Sequence, residues 1–301
     1  MKILLGGTCD NGGGSWWLAE AINRYTDHEA RAVRGYQSYL EYGHDVLAPT
    51  KQQMDSLLKW ADVIHVRDGL PKSGGIPAGK GVVVTYTGRV FRKGSRAVYR
   101  ARKLGYVICV STPDMMAFCS DCNPTWLPNP REDLNHLWKP LRNKFALQAP
   151  TTRQGKQTEV FIKAARKARV PLEIVEQVSY AECMVRKSQA RVICDQIKYG
   201  FGNNAIEGWA LGMPVISGFS TPLAQRYREA IMAQVGGELP FIEVIASPDS
   251  IAEVFRRLRH DRAYYREWCQ RGRAHFFKYH HMPVVAAKAI RIYERALGGK
   301  R

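Results

Sequence analysis

The chain has 301 residues, which is long enough for two domains that each bury a core of their own. Apolar residues make up 45%, and no apolar run approaches the roughly 18 residues of a membrane-spanning helix, so we expect none. The 45 Lys and Arg residues against 27 Asp and Glu give a net charge of +18, which argues against an acidic surface and favours a polyanionic partner or an anionic lipid surface.

Short apolar runs alternate with helical patterns through the first half of the chain. Strands are predicted at residues 2–5, 32–33, 62–66, 81–85 and 106–110, and helices at 15–25, 54–60 and 95–104. Strands that alternate with helices predict a parallel sheet. A Pro-rich turn at residues 127–130 closes this unit, and the residues up to about 146 are predicted to connect it to the next one.

The second half repeats the same alternation. Strands are predicted at 172–175, 190–194, 215–216 and 242–245, and helices at 158–168, 180–187, 205–211, 248–258, from about 262 onwards, and at 283–297. The last helix carries a row of apolar residues and is therefore predicted to bury one face. We divide the chain into domains at 1–146 and 147–282, followed by a C-terminal helix at 283–301.

Seven cysteines are scattered through apolar segments, and this odd, dispersed set is typical of reduced thiols in a cytosol. Only Cys119 and Cys122 have the spacing of metal ligands. Because no second Cys pair or His pair accompanies them, we expect no zinc or other metal site. The short apolar run at the N-terminus favours a buried strand over a signal peptide, so we expect a soluble cytoplasmic protein.

The segment 199–218 places one carboxylate among glycines where a loop meets a helix. Gly200 and Gly202 allow the backbone to approach a ligand closely, and the residues that follow suit a helix. Gly212 can end that helix and Pro214 cannot continue it. Because a helix N-terminus presents unpaired N–H groups, this loop is suited to a phosphate, with Glu207 inside the helix; a solvated Glu207 beside a plain turn is the alternative.

The same segment resembles the donor-site signature of the family 4-like retaining glycosyltransferases of the GT-B fold, in which Glu, seven residues and a second Glu precede Ala-x-Ala-x-Gly-x-Pro-Val. Here the second glutamate is Glu207, and Tyr199 stands where the first would be. The resemblance implies an α/β GT-B protein with two Rossmann-like parallel-sheet domains, an interdomain cleft and a C-terminal crossover helix. It also implies that the first domain binds the acceptor and the second the nucleotide-sugar, with Glu207 on the ribose.

A further segment, 149–158, resembles the Arg and Lys-Gly-Thr donor-phosphate element of these enzymes, although Gln157 replaces the usual glycine. Arg153 and Lys156 can stabilise a departing nucleotide diphosphate without proton transfer, unless they are only surface cations. Gly7 ends the first strand and opens a glycine-containing loop. The predicted donor-binding residues are Gly7, Arg153, Lys156, Thr158, Tyr199, Gly200, Gly202, Asn203, Asn204 and Glu207.

Three residues are catalytic candidates: His65 and Asp68 for proton transfer or contact with the acceptor, and Asp195 without an assigned role. His65 and Asp68 lie at the end of a predicted strand, and Asp195 follows another strand just before the glycine loop. Many relatives carry a histidine where this chain has Thr87, so a general base is not available there. A histidine that ends an apolar strand is as often structural, and this alternative stays open for His65.

No acidic residue lies between Asp68 and Asp114, while basic residues and aromatic rings alternate there. Such a mixture suits phosphates together with stacked bases, although a solvated basic helix or a surface for anionic lipid fits the same pattern. The predicted acceptor-binding residues are Thr87, Arg89, Arg92, Lys93, Arg96 and Arg100.

The resemblance implies a glycosyltransferase that uses a nucleotide-diphosphate sugar, expected to be a UDP-sugar, with no tightly bound cofactor. The basic stretch favours a polyanionic acceptor, and we expect DNA that carries a hydroxymethylated base, as for phage DNA glucosyltransferases, which would work in the host cytoplasm. A flipped base is required because its hydroxyl is recessed in the duplex. Two alternatives remain: a cell-envelope transferase in peripheral contact with a membrane, and a non-catalytic nucleic-acid-binding protein.

Overall fold

The computed structural model describes residues 1–7, 12–69, 76–92, 96–118, 122–141 and 143–298, except for the side chains of residues 89 and 90. The chain forms two compact units. Unit 1 combines Met1–Pro130 with His280–Arg301, and unit 2 is Arg131–Tyr279. The second unit thus begins earlier than the predicted boundary after residue 146, because Arg131 bonds to a helix of that unit.

Unit 1 is built on a seven-stranded parallel sheet in the order β3-β2-β1-β4-β5-β6-β7. Its strands are β1 (Lys2–Gly7), β2 (Glu29–Arg34), β3 (Val46–Leu47), β4 (Val63–Arg67), β5 (Gly81–Tyr86), β6 (Val107–Val110) and β7 (Thr125–Trp126). Its helices are α1 (Gly14–Tyr25), α2 (Lys51–Trp60), α3 (Gly88–Arg92), α4 (Arg96–Lys103) and α12 (Met282–Gly298).

The core of unit 1 follows from its apolar periodicities. Strand β1 contributes Ile3 and Leu5, and α1 contributes Leu18 and Ile22 from one face. Helix α12 buries Val285, Ala289, Ile292 and Tyr293 in the same cluster, as its apolar row predicts. At the start of α2, Thr50 and Gln53 form a reciprocal capping box, which fixes where that helix begins.

Unit 2 is built on a five-stranded parallel sheet in the order β12-β11-β10-β8-β9. Its strands are β8 (Ala146–Gln148), β9 (Leu172–Ile174), β10 (Val192–Gly200), β11 (Val215–Phe219) and β12 (Ile242–Val244). Its helices are α5 (Arg153–Lys156), α6 (Thr158–Ala168), α7 (Tyr180–Ser188), α8 (Asn203–Leu211), α9 (Ala224–Val235), α10 (Pro248–His260) and α11 (Arg262–Tyr279).

The predicted α/β class with two parallel sheets is confirmed. No bounds were predicted for helices α3, α5 and α9 or for strands β3, β7 and β8, because each is short or lacks a continuous apolar row. In both units the carboxyl ends of the strands form the sheet edge at which α/β proteins bind ligands. Strand β10 changes register against β11 beyond Cys194, which lifts residues 195–200 out of regular pairing at that edge.

The described residues test two expectations about the whole chain: the absence of a membrane-spanning helix and the reduced state of the cysteines. No helix among them is long and apolar enough to cross a membrane. Four cysteines, Cys109, Cys183, Cys194 and Cys269, are free thiols, whereas Cys122 is disulfide-bonded, which corrects the expectation that all seven are reduced. Cys119, the other residue of the ligand-like pair, lies outside the described residues.

Candidate functional site

The glycine-rich segment folds as its residues predict. Strand β10 ends at Gly200, whose positive φ of 83° few other residues adopt, and Gly202 caps the start of α8. The helix ends at Gly212 in the left-handed conformation, and β11 follows directly after Pro214. The N-terminus of α8 therefore lies at the carboxyl edge of the unit 2 sheet.

A buried carboxylate connects this helix to the predicted donor-phosphate element. Asp195 is fully buried, and its Oδ1 accepts a hydrogen bond from Nζ of Lys156 at 2.9 Å. Its Oδ2 accepts from the backbone N–H of Gly202. Asp195 thus holds a lysine and a helix N-terminus together, two positively charged groups that both attract phosphate. Because it is buried and hydrogen-bonded to both groups, Asp195 is placed to position them, and its place among the catalytic candidates stays a prediction.

Gln148, at the end of β8, fixes the backbone of the same region. Its Nε2 donates to the carbonyl oxygens of Lys156 and Asp195, both at 3.1 Å. The sequence analysis missed this residue, although a lone polar side chain that ends an apolar strand was a usable signal. Gln148 connects the chain before α6 with β10, so the donor-phosphate element has a defined position on the sheet edge.

Three buried oxygen atoms in this region have no hydrogen-bond partner among the described residues: Oε1 of Gln148, Oε1 of Gln157 and Oγ1 of Thr158. Thr158 is the first residue of α6, and no side chain caps that helix. Buried polar atoms are normally satisfied, and an unsatisfied one costs roughly 1–3 kcal/mol. The edge therefore has a hydroxyl that can donate, two amide oxygens that can accept, and two helix N-termini.

Glu207 is only 3% exposed and lies in a network of buried charges. Its Oε2 accepts from Nζ of Lys187, and its Oε1 accepts from Nη2 of Arg131 at 3.2 Å. Burial alone would raise the pKa of Glu207, but the two cations outweigh burial and lower it. Both carboxylate oxygens are thus hydrogen-bonded to cations, which anchors α8 through Glu207, and the contact of Glu207 with the ribose stays a prediction.

Lys187 extends this network to the loop before α5. Its Nζ also donates to Oδ1 of Asn204 at 2.6 Å, and the Asn204 side-chain amide donates to the carbonyl of Ala149 at 2.7 Å. Asn204 therefore supports the loop, and both of its side-chain groups are in use. The sequence analysis missed Lys187 and Arg131, since their link to Glu207 spans 20 and 76 residues of chain.

Arg153 and Tyr199 are partly exposed members of the predicted donor set. Arg153 donates to Oε2 of Glu176 through Nε at 2.9 Å and Nη2 at 2.7 Å, and half of its side chain is exposed. Tyr199 packs edge-on against Tyr227 with ring centroids 5.7 Å apart. Surface ion pairs are weak, so Arg153 can exchange Glu176 for a phosphate at little cost.

In unit 1, His65 is buried in the core and both of its ring nitrogens are hydrogen-bonded. Its Nδ1 is 2.8 Å from the hydroxyl of Tyr293 and its Nε2 is 2.6 Å from Oγ1 of Thr85. Burial, with a smaller effect of Arg67, lowers the pKa of His65 to about 3. The ring is therefore neutral and has no nitrogen left for a substrate. The structural alternative is favoured, and the predicted proton transfer by His65 is not supported.

Asp68 lies at the carboxyl end of β4 beside the residue that follows β5. Its carboxylate accepts from the backbone N–H of Thr87 at 2.6 Å and also from the Thr87 hydroxyl. The backbone of Asp68 is left-handed, with φ of 54°, a strained conformation that tends to occur at functional sites. Gly7 ends β1, the neighbour of β4, at the same edge of the sheet.

The predicted acceptor-binding residues do not all behave alike. Arg96 and Arg100 are exposed on α4, together with Tyr99. Arg92 instead donates through Nε and Nη2 to Oδ2 of the buried Asp114. Its charge is thus largely compensated within the fold. Lys93 and the side chain of Arg89 lie outside the described part of the chain.

Comparison with known proteins adds to this geometry. No protein-family model and no curated protein sequence matches the chain. Solved structures do match it over nearly their whole length. An alpha-glucosyltransferase in complex with UDP and a 13-mer DNA containing an HMU base has 12% identity and a TM-score of 0.72, covering 98% of this chain and 99% of that one.

Two other matches are glycosyltransferase-like structures from bacteria. HepE of Anabaena, in complex with UDP and glucose, has 11% identity and a TM-score of 0.66, covering 98% of this chain and 100% of its own. A glycosyltransferase from Rickettsia africae has 11% identity and a TM-score of 0.64, covering 98% of each chain. At such low identity the likeness establishes the fold, which is GT-B as the glycine-rich segment implied.

Proposed function

We propose that this protein is a glycosyltransferase that moves a sugar from a UDP-sugar to a hydroxymethylated base in DNA, with retention of the anomeric configuration. The observation that carries the proposal is the unit 2 sheet edge, where Lys156, two helix N-termini and the unpartnered Thr158 hydroxyl converge. A diphosphate supplies the negative charge and the acceptor oxygens that this arrangement lacks.

The chemistry follows from the same groups. When the bond from the sugar to the diphosphate breaks, negative charge grows on the departing phosphate. Lys156, oriented by Asp195, and the N-termini of α6 and α8 stabilise this charge without a proton transfer, and Arg153 adds a second cation. Gln148 and Gln157 offer free amide oxygens as acceptors for hydroxyl groups of the nucleotide-sugar.

On the acceptor side, we assign Asp68 and Thr87 to the hydroxyl that receives the sugar, because they are hydrogen-bonded to each other at the carboxyl edge of unit 1. Arg96, Arg100 and the exposed ring of Tyr99 are suited to phosphates and bases. Structural neighbours that bind UDP and DNA containing an HMU base or an abasic site support the DNA acceptor.

The proposal is tested by incubating the protein with radiolabelled UDP-glucose and one of three acceptors: hydroxymethylcytosine DNA, unmodified DNA or a membrane glycolipid extract. We expect label only in hydroxymethylated DNA. Label confined to glycolipid would instead favour the cell-envelope transferase, and absence of both transfer and donor hydrolysis would favour the non-catalytic binding protein.

A variant connects the activity to the site. Lys156→Ala removes the partly buried cation proposed to lie at the departing phosphate and should lower the transfer rate by on the order of 100-fold. Lys278→Ala, an exposed lysine of the same unit, is the matched control and should keep the rate of the unaltered protein. Equal rates for the two variants would remove Lys156 from the reaction.

A further inference from the structure

The positive charge of unit 2 is concentrated in three of its helices. Unit 2 contains 24 Lys and Arg against 15 Asp and Glu. Residues 158–169 and 248–279, which comprise α6, α10 and α11, contain 12 of these cations and only five of the acids. The rest of the unit is therefore almost balanced, and the excess belongs to this one helical layer.

Helices α6 and α10 pack side by side and turn their cations outward. Phe161, Ala164 and Ala165 of α6 share one apolar cluster with Ile251 and Phe255 of α10. Nη1 of Arg259, in the last turn of α10, donates to the carbonyl of Arg169 just after α6, at 2.9 Å. The outward residues of the two helices thus form one continuous surface, which we call the α6–α10 surface and define as Lys163, Arg166, Arg169 and Arg259.

The cations of the α6–α10 surface are not neutralised by the fold. Neighbouring cations on these helices do form ion pairs, such as Lys167 with Asp249 and Arg256 with Glu253. Within the described chain, the four residues of the α6–α10 surface are exposed and have no carboxylate partner. Cations near a helix C-terminus gain some stability from the helix dipole, but four on adjoining turns also repel one another. Such a surface is suited to an external polyanion.

The composition of the surface favours a phosphodiester chain over a lipid bilayer. Three of its four cations are arginines, whose planar guanidinium group matches phosphate in a bidentate manner. Binding to an anionic membrane usually adds exposed aromatic or leucine anchors. None of the large exposed apolar side chains belongs to α6 or α10.

The α6–α10 surface is separate from the donor site. Helix α6 starts beside Lys156 at the carboxyl edge of the sheet and runs back toward the other edge, where β9 begins. Arg166 lies eight residues beyond Thr158, which is about 12 Å along the helix axis. Charge changes on the surface should therefore leave donor binding intact.

We propose that the α6–α10 surface binds the phosphate backbone of duplex DNA in a sequence-independent manner, as a second contact in addition to the acceptor residues of unit 1. The choice of DNA among polyanions rests on the proposed function. The inference that the α6–α10 surface binds a polyanion does not depend on that function. Its role is to hold the duplex electrostatically, and each phosphate contact made by it contributes to the salt dependence of binding.

The test compares two double charge reversals of equal net change. Lys163→Glu with Arg166→Glu alters the surface, and Lys51→Glu with Lys59→Glu alters exposed lysines of α2 in unit 1. Fluorescence anisotropy measures the affinity for a labelled 20-base-pair unmodified duplex at several salt concentrations. The surface variant should lose on the order of tenfold in affinity and reduce the salt slope by about one to two units, while the control loses much less.

Calorimetry with UDP accompanies the measurement, and unchanged UDP affinity in both variants shows that unit 2 is intact. Equal losses in the two variants, an unchanged salt slope, or no DNA binding by the unaltered protein would overturn the proposal. So would surface-dependent binding to phosphatidylserine vesicles without surface-dependent binding to DNA. Failure of sugar transfer with a selective loss of DNA affinity would reject the proposed function and leave the second contact standing.

Discussion

At the scale of single residues, the most informative side chain is His65, because its environment shows whether it is a catalytic or a structural residue. Its two ring nitrogens are used by Tyr293 and Thr85, and its pKa is lowered to about 3 by burial. The sequence places a histidine at the end of an apolar strand but does not show what covers it. Tyr293 is 228 residues away in the chain, so no local pattern could reveal this contact.

The lowered pKa has a consequence for stability. His65 takes up a proton in the unfolded chain below about pH 6.5, while the folded protein stays unprotonated there until about pH 3. Stability is therefore lost as the pH falls through this window. Between pH 6.5 and 5 the expected loss from His65 is about 2 kcal/mol, from 1.4 kcal/mol per pH unit.

Urea unfolding at pH 7.5 and pH 5 measures this loss. His65→Gln should lose about 2 kcal/mol less than the unaltered protein over the interval, whereas the exposed His260→Gln should behave like the unaltered protein. If His65→Gln does not fold, titration of the His65 ring by NMR replaces the comparison. A ring that titrates near its ordinary pKa would contradict the prediction.

At the scale of elements, α8 is held in place by a helix remote in sequence. A Cβ added to Gly272 of α11 would lie 2.4 Å from Cδ1 of Trp209, whose indole is fully buried on α8. Such a distance is not tolerated, and the rigid ring has no free space into which it can move. The glycine therefore allows α11 to approach α8 closely, and this approach supports the helix that Asp195 and Glu207 also anchor.

Gly272→Ala should consequently destabilise the protein, although alanine favours a helix by up to about 1 kcal/mol. We expect a net loss of roughly 1–3 kcal/mol from overpacking, together with weaker UDP binding because α8 is displaced. Gly298→Ala in α12, where no described atom outside the chain neighbours and the helix's own backbone lies within 4 Å of the added Cβ, is the control and should be neutral or slightly stabilising. Thermal unfolding and UDP calorimetry measure both effects; equal behaviour of the two variants would refute the close approach.

The same elements show what the sequence could and could not predict. Helix α8 and β11 are predictable because Gly202, Gly212 and Pro214 are local signals of where a helix begins and ends. Lys156 was a candidate from its motif alone. Its partner Asp195, 39 residues away, and the carbonyl contacts of Gln148 depend on strand order, which the motif does not contain. For the same reason the contacts of Glu207 with Arg131 and Lys187 could not be predicted from the sequence.

At the scale of the whole molecule, charge and chain path differ in how far they can be derived from the sequence. The acid-free stretch draws attention to unit 1, yet unit 1 and unit 2 each have nine more cations than acidic residues. Only the packing of α6 against α10 shows that part of this charge forms a surface in unit 2. The apolar row of the last helix predicted a buried face, whereas its return to the first unit was expected only from the resemblance to GT-B enzymes.

That path makes a final prediction about stability. The chain leaves unit 1 at Pro130 and returns at His280, so α12 completes the core of unit 1 although unit 2 separates them in sequence. Val285, Ile292 and Tyr293 are buried in that core, and each such side chain contributes about 1.5–3 kcal/mol. Their sum is comparable to the whole stability of a domain of about 5–15 kcal/mol. Deletion of residues 280–301 should therefore unfold unit 1 while unit 2, whose core and most of whose predicted donor residues lie within Arg131–Tyr279, stays folded. Differential scanning calorimetry measures this: UDP shifts the transition of unit 2 upward and so identifies it. The truncated protein should keep that transition and lose the other, and retention of two transitions would show that α12 is dispensable.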